Sequence, residues 1–501
     1  MEKYDRVLLL SALTLLVVCV PLPGRPDAPP DYERLARALA SISGSRMLAD
    51  VTLLSSPEYN GRQAGTADDL HSALVVAERF RSLGLRPAGT EALIPHSPPW
   101  ALTTLVIVTR LGTPTMEVSS GSEVIVPRAG PDYVPILDSP SANVTAPVVF
   151  VGYGISDPAR GFDEYQGIDV RNRIILFLRG KPERYPTPTP QSEKQRIARE
   201  KGAVAYLAVT GPVLSSYETR RGTGLGPQAS YSGLEDERPL PGCWISTALA
   251  ERILAPYLTP RGQSLRTIQD QLNSTLSPRS GPTGTVVRLT WDSAQTPGTL
   301  VNVAGLLPGR EPSVSETVVV GAHRDHFGRQ AGLLFPGADD NASGTAVLLE
   351  LARALGEAGP PTRSILFVSF SGEEQGLQGS KLYVGRPLRS LGTTLGMVNL
   401  DHAGVGSGRL TVGITSLTKT VALEAGQAAQ VSDRLDLFGF FPGGDHVPFK
   451  EAGVPTITIV SGGSHPDFHQ PTDTAEKVQA AILETVARYA LAVTWQLARG
   501  P

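Results

Sequence analysis

Apolar positions along this chain fall into two textures. DYERLARALASISG, from Asp31, spaces them three and four apart, and the stretch from Ala67 to Leu83, closed by Gly84, does the same, so both predict amphipathic helices. EYNGRQAGT, residues 58–66, is a glycine-punctuated loop between them. ALTTLVIVTR, from Ala101, is a near-continuous apolar run, which predicts a strand buried on both faces. From Ala146 the order APVVFVGYGI, RIILFLRGK, SEKQRIAREKGAVAYLAVTG reads strand, strand, helix, strand, followed by a long Gly/Ser/Pro-rich segment to about Pro282. Past Gly284 the strands VVRLTW, LVNVAGLL, ETVVVGAH, RSILFVSF, TLGMVNLD, RLTVG and VPTITIV are joined by the helix NASGTAVLLELARALGEAG, and a helix from about Thr474 to Arg499 closes the chain. This pattern predicts an α/β fold with a mostly parallel central sheet flanked by helices. Residues 25–135 and 291–501 then form one domain, and 136–290 a smaller, β-rich α/β domain inserted into it.

Length and charge narrow the function classes. At 501 residues the chain allows two or three compact units. With 45 basic against 48 acidic side chains the net charge is −3, which fits neither a nucleic-acid polycation nor an acidic disordered tail. The start differs: Val7 to Val20 is apolar, follows Lys3 and Arg6, and ends at Pro21, Pro23 and Gly24. It is shorter than the about 20 residues that span a bilayer and suits a secretory signal. Residues 1–24 are therefore expected to be a signal peptide or N-terminal anchor, with the body exported to the periplasm or medium, or held at a membrane. Cys19 lies in that leader, so Cys243 alone remains and no internal disulfide is expected.

Chemistry concentrates late in the chain. His323, His326, His402, His446, His465 and His469 are six of the eight histidines. His323 and Asp325 follow a strand, Asp339 and Asp340 precede a helix, and Glu373 and Glu374 follow another strand. Asp401 ends a further one, and His465 and His469 lie in the loop after VPTITIV. In an open α/β sheet the crevice beyond the carboxyl ends of the strands binds ligands. Each cluster alone has a bland reading as a turn, a helix cap or a solvated pair; together they supply the imidazole and carboxylate set of a divalent-metal hydrolase, with zinc the favoured ion. The set exceeds the needs of one tetrahedral ion and suits two sharing a carboxylate. Glu373 is then available to carry protons.

These residues resemble peptidase family M28, zinc aminopeptidases, through His323-Arg324-Asp325, Asp339-Asp340-Asn341-Ala342-Ser343-Gly344, Gly372-Glu373-Glu374, Asn399-Leu400-Asp401 and His469-Gln470-Pro471-Thr472-Asp473. EYNGRQAGT resembles a loop near the start of such enzymes, and 136–290 resembles a protease-associated domain. The resemblance implies a zinc-peptidase α/β sandwich with two Zn2+ per chain: His323 and Asp401 on one, Glu374 and His469 on the other, Asp339 bridging, and Glu373 as general base. Asp325 is expected to orient His323, with Asp340 and His446 as further outer hydrogen-bond partners. His402 is read as a packing or outer partner, not a ligand.

A tyrosine that some members carry before the Asp-His pair is missing from FGFFPGGDH, where Phe438, Phe440 and Phe441 have no hydroxyl. Arg324 and Arg329 are expected to be solvated, which leaves a carboxylate-rich crevice suited to a substrate α-amino group. Peptides are the expected substrates, with neither nucleic acid nor lipid as partner; oligomeric state stays open. Carboxypeptidase or dipeptidase action or glutaminyl cyclisation on the same scaffold, and an inactive receptor-like protein, are the competing readings. Because all five clusters lie outside 136–290, that unit is expected to be dispensable for the chemistry.

Overall fold

The computed structural model describes residues 31–224, 226–233, 239–311, 315–440 and 442–499. The 1–24 leader and Cys19 lie outside the described residues. Among the described residues no helix is long and apolar enough to cross a membrane, and Cys243 is a buried free thiol.

Helices α1 (Asp31–Ser41), α2 (Gly44–Leu54) and α3 (Ala67–Ser82) lead into the main sheet. Thr66 caps α3 by accepting the Asp69 amide, as its Ser/Thr-type side chain before an acidic first turn suggests. The sheet contains β1 (Ala101–Leu111), β2 (Ser293–Leu307), β3 (Thr317–His323), β4 (Ser364–Phe370), β5 (Thr394–Asp401), β6 (Leu410–Thr415), β7 (Leu435–Phe438) and β8 (Thr456–Ser461). Its order is β2-β4-β3-β5-β8-β6-β7, with β1 and the short Arg86–Pro87 strand also on β2. Helices α4 (Gly344–Ala358) and α5 (Ala480–Ala498) cover one face together with α1 and α2. Both α4 and β3, apolar almost throughout, are buried on nearly every side, which accounts for their lack of a polar stripe.

The α/β sandwich is as expected, and the parallel character is concentrated in the centre. β4, β3, β5 and β8 are mutually parallel, whereas β2 runs antiparallel to β4 and β6 antiparallel to β8. β1 departs from its predicted double burial: Leu105 is 79% and Ile107 60% exposed while Val106 and Val108 are buried. Its partner among the described strands is β2, so it forms a sheet margin with one covered face.

The chain leaves this sheet at Leu111 and rejoins it at Ser293, two residues that pair across β1 and β2. The excursion builds a second sheet, of eight strands among the described residues. Its centre is parallel, formed by Ala142–Phe150, Ile174–Leu178, Ala205–Val209 and Gly242–Ile245. Three strands ahead of residue 136, Thr115–Ser120, Glu123–Ile125 and Tyr133–Pro135, also belong to it.

Candidate metal centre

Because β3, β4, β5 and β8 are parallel, their carboxyl ends open on one crevice. His323 is the last residue of β3 and Asp401 the last of β5; Glu373 and Glu374 follow β4, and His465 and His469 follow β8. Asp339 and Asp340 lead into α4. Gly344 allows that approach: a Cβ there would stand 2.3 Å from Asn341 Oδ1 and 2.7 Å from the Leu400 carbonyl oxygen, so only glycine brings the start of α4 against the end of β5.

Asp340 sits between two imidazoles. Its Oδ1 lies 3.4 Å from His323 Nε2 and its Oδ2 3.1 Å from His469 Nε2. Asp401 Oδ1 is 3.5 Å from His323 Nε2, and Glu374 Oε2 is 3.4 Å from His469 Nε2. Glu373 Oε2 is 4.0 Å from His323 Nε2. The expected ligands His323, Glu374, Asp401 and His469 are thus brought together with Glu373.

Asp339, expected between the two groups, points elsewhere. Its Oδ2 accepts a hydrogen bond from His465 Nδ1 at 2.7 Å and its Oδ1 accepts one from the Gly404 amide at 2.8 Å. Asp340, expected as an outer partner, takes the central position instead. Asp473 explains the division: its two oxygens accept the backbone N–H groups of Asp339 and Asp340 at 2.9 and 3.0 Å, holding a turn that sends adjacent side chains in opposite directions. Asp325 meets His323 through its backbone as well as its carboxylate. His323 Nδ1 is 3.2 Å from the Asp325 carbonyl oxygen but 3.6 Å from its carboxylate, which accepts the Glu373 amide at 3.3 Å.

His446 is buried at the start of a short helix, His446–Glu451, with the Phe440 ring 5.9 Å away. Phe438 and Phe440 are exposed; Phe441 lies outside the described residues. His402 packs 5.1 Å from the Phe468 ring, with its Nδ1 3.5 Å from Asp339 Oδ2 and its Nε2 3.7 Å from Asp401 Oδ1.

Arg324 is not solvated. It is fully buried, pairs with Asp69 at 2.7 Å, and donates to the carbonyls of Val301, Ser369 and Phe370. Arg329 is exposed and meets Asn60. The EYNGRQAGT loop supplies another buried cation, Arg62, which donates to the carbonyls of Leu54, Arg324, Pro336 and Gly337 and so pins the approach to Asp339. Sequence reasoning also gave no role to His326, whose Nδ1 donates to Glu374 Oε1 at 2.6 Å. Its position one residue past Asp325 was the available signal.

Burial dominates the electrostatics. It pushes the Glu373 and Glu374 carboxyls well above the ordinary carboxylate range, with neighbouring carboxylates adding to the rise. For Asp340 burial acts in the same direction, but the imidazoles of His402 and His469 hold it well below that range. For His323 burial favours the neutral ring, and the carboxylates of Glu373, Asp325 and Asp401 outweigh it. Such a concentration of buried carboxylates is costly unless cations neutralise it. Among the described residues, Asp401 Oδ1 is buried without a hydrogen-bond partner. His323, Asp340 and Asp401 bring ligand atoms within 4.8 Å of one another, and so do His326, Asp340 and Glu374. Asp340 belongs to both of these groups, a third group of Asp339, His402 and His465 stands beside them, and the nitrogen and oxygen donors fit zinc.

The span 302–494, which carries all these side chains, matches the sequence profile of peptidase family M28. Those residues are the M28-like domain of the chain. Aminopeptidase YwaD of Bacillus subtilis is 32% identical to the chain over 213 residues, covering 39% of this chain and 46% of YwaD, so the match spans just under half of that relative. A probable glutamate carboxypeptidase of Zea mays, VP8, is 26% identical, with 93% of this chain and 69% of VP8 aligned. The structure of an aminopeptidase from Aneurinibacillus sp. strain AM-1 superposes with a TM-score of 0.65 at 21% identity, covering 94% of this chain and 97% of that one. This last likeness extends the shared fold beyond the M28-like domain to the unit between β1 and β2.

Proposed function

We propose that the chain is an aminopeptidase that removes N-terminal residues from peptides and holds two zinc ions. The observation that carries this reading is Asp340, with one oxygen 3.4 Å from His323 and the other 3.1 Å from His469. His323 and Asp401 would hold one ion, His469 and Glu374 the other, and Asp340 both. Zinc held by these residues would supply acidification of water and polarisation of a scissile carbonyl. Glu373 has the place of the general base: its side chain remains 16% exposed to the crevice, and burial raises its basicity. Its carboxylate would take the proton of the attacking water and return it to the leaving amine. The likeness to an aminopeptidase of B. subtilis supports peptide substrates. Commitment of Arg324 to Asp69 supports reading of the amino end, since the motif cation nearest the ligands is engaged within the protein.

One observation favours carboxypeptidase action instead, the near full-length alignment with VP8. Export remains a proposal resting on the Val7–Val20 segment, and the unit between β1 and β2 is proposed as a protease-associated domain.

Metal analysis and aminoacyl-anilide hydrolysis test the main reading. Glu373→Gln should retain both ions and lose about 10²- to 10⁴-fold in turnover. A wild-type chain without zinc, or near-normal turnover in this variant, would overturn it.

A further inference from the structure

The unit between β1 and β2 reaches into the metal centre through residues 227–232. Toward the M28-like domain, Gln228 Nε2 donates to the Phe468 carbonyl at 3.1 Å and Gln470 Nε2 donates to the Pro227 carbonyl at 3.0 Å. Between these contacts the Ala229 amide donates to the His469 carbonyl at 3.0 Å, and His469 Nδ1 donates to the Ala229 carbonyl, also at 3.0 Å. The other side of the segment is tied to its own unit. The Leu137 amide donates to the Ser230 carbonyl at 2.9 Å, and Ser232 donates through its amide and hydroxyl to Asp138 at 2.8 and 2.5 Å.

His469 needs such support. Its φ of 57° is in the left-handed region, which is strained for a non-glycine residue and persists only where the surroundings hold it there. With Nδ1 protonated toward Ala229, the Nε2 lone pair is directed at Asp340 and Glu374, 3.1 and 3.4 Å away. An outer acceptor that fixes the tautomer and ring direction of a ligand histidine is a strong determinant of metal affinity.

We propose that residues 227–232 are a strap in which Ala229 positions His469, so that affinity at the His469–Glu374 position depends on the unit between β1 and β2. Affinity at the His323–Asp401 position does not. This rests on the dinuclear zinc reading, and it replaces the expectation that the unit is dispensable for the chemistry.

Zinc competition against a chromophoric chelator, on the full chain, tests the strap. Ala229→Pro removes the amide donated to His469 and shifts the carbonyl; Ala229→Gly keeps both groups. The proline variant should weaken one of the two binding steps about 10- to 100-fold, leave the other unchanged, and melt without metal as wild type does. The glycine variant should bind as wild type. Should the proline variant melt early, the Gln228→Ala/Gln470→Ala double variant decides, with a loss expected at the same single step. Unchanged affinities in a folded proline variant or in the double variant, or equal weakening of both steps, would overturn the strap. A wild-type chain that binds no zinc would instead overturn the dinuclear reading beneath it.

Discussion

Asp339 and Asp340 are adjacent, chemically identical and both buried, yet substituting them should have unequal consequences. Asp340→Asn removes the charge shared between His323 and His469. If about 10–16 kcal/mol of zinc binding is divided among four ligands, each ligand is worth ~3 kcal/mol. Loss of Asp340 then weakens both ions by about 10²-fold. Asp339→Asn retains an amide oxygen for the Gly404 N–H and loses the charged acceptor of His465 Nδ1. That damage is an outer hydrogen bond and should cost affinity ~10-fold at most. Dialysis against zinc buffered at roughly ten times the wild-type Kd, followed by metal analysis, separates them. By mass action wild type retains about 90% occupancy and Asp339→Asn about half or more, while Asp340→Asn falls to about 10% at both positions. If Asp339→Asn lost both ions while Asp340→Asn kept them, Asp339 would be the bridge and the reasoning from the turn at Asp473 would fail.

Three further outcomes are expected. Arg324→Met leaves Asp69 buried without its cation and should cost roughly 3–5 kcal/mol of stability. The Asp69 carboxyl, pushed up by burial to about 6 with Arg324 opposing the rise, should rise further in this variant. The folded state then holds a proton that the unfolded chain has released, so stability falls as pH rises, and urea unfolding should show a larger penalty at pH 8 than at pH 5; a pH-independent penalty would count against it. His326→Ala frees Glu374 Oε1 and should weaken zinc binding about 10-fold or more in chelator competition; unchanged affinity would leave the 2.6 Å contact without consequence. N-acetylation of a good peptide substrate should remove most of its hydrolysis by chromatographic assay, whereas equal rates, or dependence on a free C-terminus, would favour the carboxypeptidase reading.

The architecture was legible where periodicity and burial agree. The residues of β3, β4, β5 and β8 are apolar on both faces because helices cover both, and each was recognisable as a strand. β1 has the same apolar texture and a different environment, since nothing in ALTTLVIVTR states that it lies at a margin of the sheet. Direction was harder to read than existence. β2 and β6 look like their parallel neighbours in sequence, and nothing in their apolar texture encodes their reversed direction.

The metal centre was legible as a set of side chains and not as a set of directions. Spacing placed carboxylates and imidazoles at strand ends, because a strand end is where a parallel sheet exposes side chains to a shared crevice. Spacing could not choose between Asp339 and Asp340. That choice is made by Asp473, 134 and 133 residues away, accepting both backbone amides. Nor could it show that the carbonyl facing His469 Nδ1 comes from Ala229, 240 residues earlier, or that Arg324 turns inward to Asp69. In all three cases the partner is distant in sequence, and in two of them the decisive atom belongs to the backbone. A motif specifies which functional groups reach the crevice; the partners that orient them are specified by the packing of segments far apart in the chain, and substitutions at Ala229 or Asp69, which lie outside the five motifs, should therefore perturb the centre while leaving every motif residue in place.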